Sequence, residues 1–224
     1  MAETALAVVP ENPFRPGAGT KPLYLAGRSH EQGEFVKAVS QRDLTQNILI
    51  TGLRGVGKTV LLEELRPIAA QHGWLWTGND WNEAASVSEK DVATRLIVDL
   101  TKVLAPIVRY RPGELPMGFT AKPHKDDRPL AFDDLWNIYN ATPGFNSDKV
   151  KAVLEHVATI IVNAKIRGIV FAYDEAQNLA DKKDREQFPL SLVCDVFSNL
   201  QKRDLGCQFF IGDDWSTDTH HTFE

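Results

Sequence analysis

The string Gly52-Leu53-Arg54-Gly55-Val56-Gly57-Lys58-Thr59 fits the pattern G-x-x-x-x-G-K-T without a mismatch, and few strings this short restrict an architecture so tightly. Its glycines let the backbone curl until successive N–H groups point into one concavity. A helix starting at Lys58 adds the positive end of its dipole there. Such a loop needs a buried strand before it and a helix after it. Residues 47–51, Asn-Ile-Leu-Ile-Thr, form a short, apolar, β-rich run of the kind buried in parallel sheets. From Lys58 onward Val60, Leu61, Leu62, Leu65 and Ile68 share a broad helical face, with Pro67 expected to kink or stop the helix. The competing reading, a glycine turn that merely exposes a lysine, does not explain that context.

In this pattern Lys58 bridges the β- and γ-phosphates of a nucleotide as a point charge, and Thr59 presents its hydroxyl to Mg2+. A second apolar strand, residues 169–173, runs straight into Asp174 and Glu175. Two acids after a strand often only mark its exit to solvent. Paired with a complete phosphate loop upstream, they acquire roles: Asp174 holds the hydration shell of Mg2+ and Glu175 polarises an attacking water.

The rest of the chain alternates strands with helices. A helix after Arg28 carries Phe35, Val36 and Val39, with Ser29 a candidate cap. A strand is expected over 74–77, then a helix over 88–104 with Val92, Leu96, Ile97, Leu100 and Leu104 inward, opened by a Ser88-x-x-Asp91 capping pattern. Ser147 should cap a helix reaching about residue 165, with Val150, Val153, Leu154, Val157, Ile160 and Ile161 as its stripe. Leu192, Val193, Val196, Phe197 and Leu200 place another helix over 189–202, and a last strand follows over 207–211. This alternation implies a three-layer α/β domain: a central parallel sheet with helices on both faces.

Residues 1–21, rich in proline and glycine, read as an extended arm, and 22–212 as the domain. Half of the twelve prolines fall between 106 and 144, so 106–146 is expected to be mostly a long loop with one short helix over 133–139. Residues 213–224 have no apolar period and read as a disordered tail. A formal net charge of −5 argues against a surface built to coat nucleic acid. No apolar run approaches the length of a membrane span, and no basic leader precedes the first apolar residues, which places the protein in the cytoplasm. Cys194 and Cys207 are expected to be reduced core residues.

Residues 22–28, ending in Leu25-Ala26-Gly27-Arg28, together with the loop 52–59 and the string Tyr173-Asp174-Glu175-Ala176-Gln177-Asn178-Leu179, resemble the bacterial AAA+ ATPases of the origin-recognition-like, STAND-related branch. The resemblance spans roughly residues 12–211. It implies an AAA+-like P-loop NTPase fold, ATP and Mg2+ as ligands, and adenine packed against Leu25, Ala26, Gly27 and Arg28. It also implies sheet order 5-1-4-3-2 and a helical lid. Nothing after residue 212 looks like a fifth strand, an arginine finger or that lid. The chain is therefore expected to lack the lid domain, to leave the phosphate-loop strand on an open edge, to bind ATP weakly and to hydrolyse it very slowly alone. Two functions follow. One is a Mg2+-dependent ATPase module coupled to a macromolecular partner. The other is a nucleotide-binding interaction module, or a truncated remnant, without turnover of its own and serving DNA transposition or defence. Self-association or a protein partner on the open edge is expected in both, with Arg109, Arg111, Arg128, Arg185 and Arg203 as candidate donors in trans.

Overall fold

The computed structural model describes residues 27–40, 47–53, 55–110, 128–201 and 207–214. Four parallel strands form the central sheet: β1 (Ile48–Gly52), β2 (Trp74–Thr77), β5 (Gly168–Tyr173) and β6 (Cys207–Asp214), in the order β1-β6-β5-β2. Around it lie α1 (Ser29–Ser40), α2 (Lys58–Gln71), α3 (Glu89–Leu104), α4 (Phe132–Ala141), α5 (Asn146–Asn163) and α6 (Pro189–Gln201). A two-stranded antiparallel ribbon, β3 (Arg109–Tyr110) with β4 (Arg128–Pro129), stands apart from the sheet.

The pleat of β5 sorts the molecule into layers. Successive side chains of a strand point to opposite faces. Accordingly Ile169, Phe171 and Tyr173 join a core cluster with α3, α4, α5 and α6, while Val170 and Ala172 join a second cluster with α1 and α2. All six residues of β5 are buried, which is why the strand reads as a continuous apolar run. The expected α/β three-layer arrangement is thus the observed one. The stripes of α3, α5 and α6 pack as expected, with Leu96, Leu100, Val157 and Val196 fully enclosed. Ser88 caps α3 by accepting from the Asp91 N–H at 3.2 Å.

Several local expectations change. Helix α2 does not stop at Pro67 but runs on to Gln71, its next turn carrying the fully buried Ala69. Helix α1 begins at Ser29 itself, so Ser29 is its first residue rather than its cap, and Val36 faces outward. Helix α5 starts at Asn146, where Asp148 accepts from the Phe145 N–H at 3.0 Å; the Ser147 hydroxyl is not the cap.

Within 106–146 the short helix expected over 133–139 is present as α4, and residues 111–127 lie outside the described residues. Leu130, Leu135 and Tyr139 enter the main core, and Phe132, Trp136 and Tyr139 stack in a row along α4 with ring centroids 5.4 and 4.7 Å apart. At its start Arg128 forks onto Asp134 at 2.6 and 2.7 Å. Cys194 lies exposed on α6, not in the core, and β6 continues to Asp214, beyond the expected end at residue 211. No helix among the described residues is long and apolar enough to cross a membrane.

At Gly78 (φ +124°), a Cβ would sit 1.9 Å from the Ala172 carbonyl oxygen, so only glycine allows the chain leaving β2 to pass β5. Gly78→Ala is expected to lower unfolding free energy by about 3 kcal/mol or more, through backbone displacement and φ strain. Chemical denaturation of the two proteins measures it; equal midpoints would contradict the close approach.

Candidate functional site

The carboxyl ends of β1, β6 and β5 converge on one side of the sheet, and the loop after β1 wraps the start of α2 there. Gly55 and Gly57 take left-handed φ of 82° and 85°, turning the chain so that the amino end of α2 opens toward the loop. Lys58 is 5% exposed and donates its Nζ protons to the Gly52 and Leu53 carbonyls at 2.9 and 3.0 Å. A buried ammonium needs such acceptors, and the loop supplies them from its own backbone. Arg54 lies outside the described residues.

Thr59, the second residue of α2, donates its hydroxyl to Asp174 Oδ2. Asp174 is buried, and its other oxygen accepts from the Glu175 N–H at 2.9 Å. Glu175 adopts φ 59°, ψ 42°, an unusual left-handed conformation for a residue with a Cβ. It begins a turn of 3-10 helix, Ala176–Asn178, and its carboxylate accepts from the Gln177 side-chain amide. The structure therefore brings Lys58, Thr59, Asp174 and Glu175 together, joining β1–α2 to the end of β5.

On the other side of the loop, Arg28 donates to the Val56 carbonyl at 2.7 Å and to Glu31 at 2.6 Å. The Arg28 guanidinium holds the Glu31 carboxyl below its ordinary range, the hydrogen bond being the main cause. Arg28 and Thr51 also line an open cavity of about 310 Å3 between α1, β1 and α2, with Phe35 and Leu61 at its base. Gly27, at φ 77°, precedes it. Leu25 and Ala26, the other residues expected beside adenine, lie outside the described residues. Of the candidate trans arginines, Arg128 is committed to Asp134 and Arg185 is exposed on a loop after β5, where its ion pair to Asp184 is long at 3.8 Å. Only the backbone of Arg109 is described, and Arg111 and Arg203 are not.

The register of β6 adds two residues that the sequence reading assigned to a tail. Asp213 pairs with Thr51 and Asp214 with Gly52, so both backbones stand beside the base of the loop. Two acids at the end of an apolar strand were the signal, the same one that marked Asp174 and Glu175.

This fold and site define a P-loop NTPase of the α/β class, with a phosphate loop at the carboxyl end of a parallel sheet and an acid pair at the end of β5, two strands away. The chain belongs to the AAA ATPase domain family, whose model matches residues 24–197. No curated protein matches the sequence. The match supports an ATP-binding, AAA+-type module.

Tyr173, fully buried one residue before Asp174, donates to Asp99 Oδ2 at 3.0 Å, and Arg95 holds the same carboxylate at 2.8 Å. Burial, then the Asp99 charge and its hydrogen bond, push the Tyr173 phenol well above its usual range. The folded state thus keeps a proton that the unfolded chain loses near pH ~10, and stability falls as pH rises past that value. Tyr173→Phe should cost about 1.5–3 kcal/mol at pH 7, for the lost hydrogen bond to a charged group, and should flatten the alkaline decline. Urea melts from pH 8 to 11 test this; parallel curves for both proteins would refute it.

Proposed function

We propose that the chain is a Mg2+-dependent ATPase module that couples nucleotide binding or hydrolysis to a macromolecular partner. The observation that carries this reading is the hydrogen bond from Thr59 to Asp174, which joins the phosphate loop to the acid pair across 115 residues of sequence. The loop residues Gly52, Leu53, Arg54, Gly55, Val56, Gly57, Lys58 and Thr59 bind the phosphates, with Lys58 exchanging its carbonyl partners for phosphate oxygens. Thr59 and Asp174 fit Mg2+, a hard ion that prefers one or two protein oxygens and keeps much of its water. When bound, that ion neutralises charge on the phosphates. Glu175 orients and polarises the attacking water, and its carboxylate must first leave Gln177 for that role. Gly27 and Arg28, with Leu25 and Ala26, form the base side of the site.

A second reading, a nucleotide-gated interaction module without turnover alone, is favoured by one specific observation. Among the described residues β1 pairs only with β6, leaving an edge whose Leu49 is half exposed and whose residues carry no charge. Edges of this kind recruit strands from partners or further copies. A trans arginine would make specific activity rise with protein concentration, whereas bound ATP with flat, near-zero turnover fits the second reading.

Titration calorimetry with ATP and Mg2+ tests the shared core of both. Lys58→Ala should weaken ATP binding roughly 10- to 100-fold, the range for losing charge-assisted hydrogen bonds. Undiminished affinity in a folded Lys58→Ala protein would sink the assignment of the loop.

A further inference from the structure

The segment that leaves β2 crosses the end of β5 and grips the turn that carries Asp174 and Glu175. Trp81 donates its backbone N–H to the Asp174 carbonyl at 2.9 Å, and Asp80 forms a parallel bridge with Asp174. Asn178, at the far end of the same turn, donates its side-chain amide to the Trp81 carbonyl at 2.6 Å. Its own backbone N–H reaches the Glu175 carbonyl at 3.0 Å. The ring closed in this way runs Asp174, Trp81, Asn178, Glu175 and back to Asp174.

Each part is anchored. Trp81 is fully buried, and its indole stacks on Tyr173 with centroids 4.4 Å apart and planes 22° from parallel. The buried indole Nε1 has no hydrogen-bond partner among the described residues, so this side chain serves through its rings and its backbone rather than its polar edge. The ring encloses the one residue of the acid pair held in left-handed φ, a conformation that costs of order 1–3 kcal/mol and persists only where its surroundings over-determine it.

We infer that Asn178 is a positioning residue: with the Trp81 backbone it clamps the Asp174–Glu175 turn, fixing where the Asp174 carboxylate meets Thr59 and where Glu175 points. This rests on the roles assigned to Asp174 and Glu175 above. The clamp consists of bonds between protein groups alone, so two readouts separate the inference from those roles.

Asn178→Leu keeps the approximate shape and removes the donor; Asn178→Ala, smaller, is the second variant. Hydrogen exchange in the nucleotide-free protein reads the clamp itself. Exchange at the Trp81, Glu175 and Asn178 amides should quicken about fivefold, the equilibrium value of one net hydrogen bond, with core amides of α3 and α5 unchanged. Calorimetry then compares ATP affinity in EDTA with affinity in Mg2+. The variants should match the wild type in EDTA but lose about fivefold of the gain that Mg2+ confers, with the melting temperature lowered by only about 2–4 °C. Unchanged exchange at those amides, or a full Mg2+ gain despite faster exchange, overturns the inference. A wild-type chain that binds no ATP overturns the roles of Asp174 and Glu175 instead, and the exchange measurement still decides the clamp.

Discussion

The contact between Thr59 and the Asp174 carboxylate makes two separate stretches of chain act as one site. It forms because β5 lies two strands from β1 in a parallel sheet, so their carboxyl ends open onto the same side. That placement depends in turn on β5 being buried on both faces, with Phe171 against Phe197 of α6 and Val170 and Ala172 against the layer of α1 and α2. The sheet's hydrophobic burial is therefore what sets Asp174 against Thr59, the residue after Lys58. Loosening either layer would move the carboxylate before it unfolded the domain, since close-packed cores transmit displacement rather than absorb it.

Much of this was legible because the relevant residues are local in sequence. The loop of residues 52–59 and the run into Asp174 and Glu175 announce themselves by composition and order. The stripes of α3, α5 and α6 repeat long enough for period to decide. What escaped the sequence depends on tertiary partners. Pro67 signals a break, but the helix continues past it to Ile68 and Ala69, which pack with Leu65 in the second core cluster. Within 106–146 the short helix α4 was legible, but not that its Leu135 and Tyr139 enter the main core with α3 and α5. Asp213 and Asp214 look like solvent residues, yet the open ladder of β1 offers their backbones Thr51 and Gly52 as partners, and backbone pairing does not depend on side-chain polarity. Cys194 was misplaced because cysteine is among the most buried residue types, while on α6 the neighbours Leu192, Val193, Val196 and Phe197 already fill the inner face. The contacts of Trp81 and Asn178 could not be read, since Trp81 acts through its main chain and the Asn178 side chain bonds a residue far away in the sequence.

The loop's own hydrogen bonds bear on how tightly it can hold phosphate. With Lys58 bonded to the Gly52 and Leu53 carbonyls and Thr59 bonded to Asp174, the principal side-chain donors of the site are already satisfied. Phosphate binding must therefore exchange hydrogen bonds rather than add them, and the net gain comes from replacing neutral carbonyls with charged oxygens near a helix amino end. Two consequences follow from that exchange. Lys58 finds two carbonyl acceptors in its own loop, which removes the penalty an orphaned ammonium would impose on the fold. And displacing Lys58 frees two carbonyls at the very end of β1, the strand whose other side is the sheet's edge among the described residues. Under the proposed function, nucleotide occupancy would act first on the backbone of the strand that forms this edge, and coupling to a partner there would need no path longer than the loop itself.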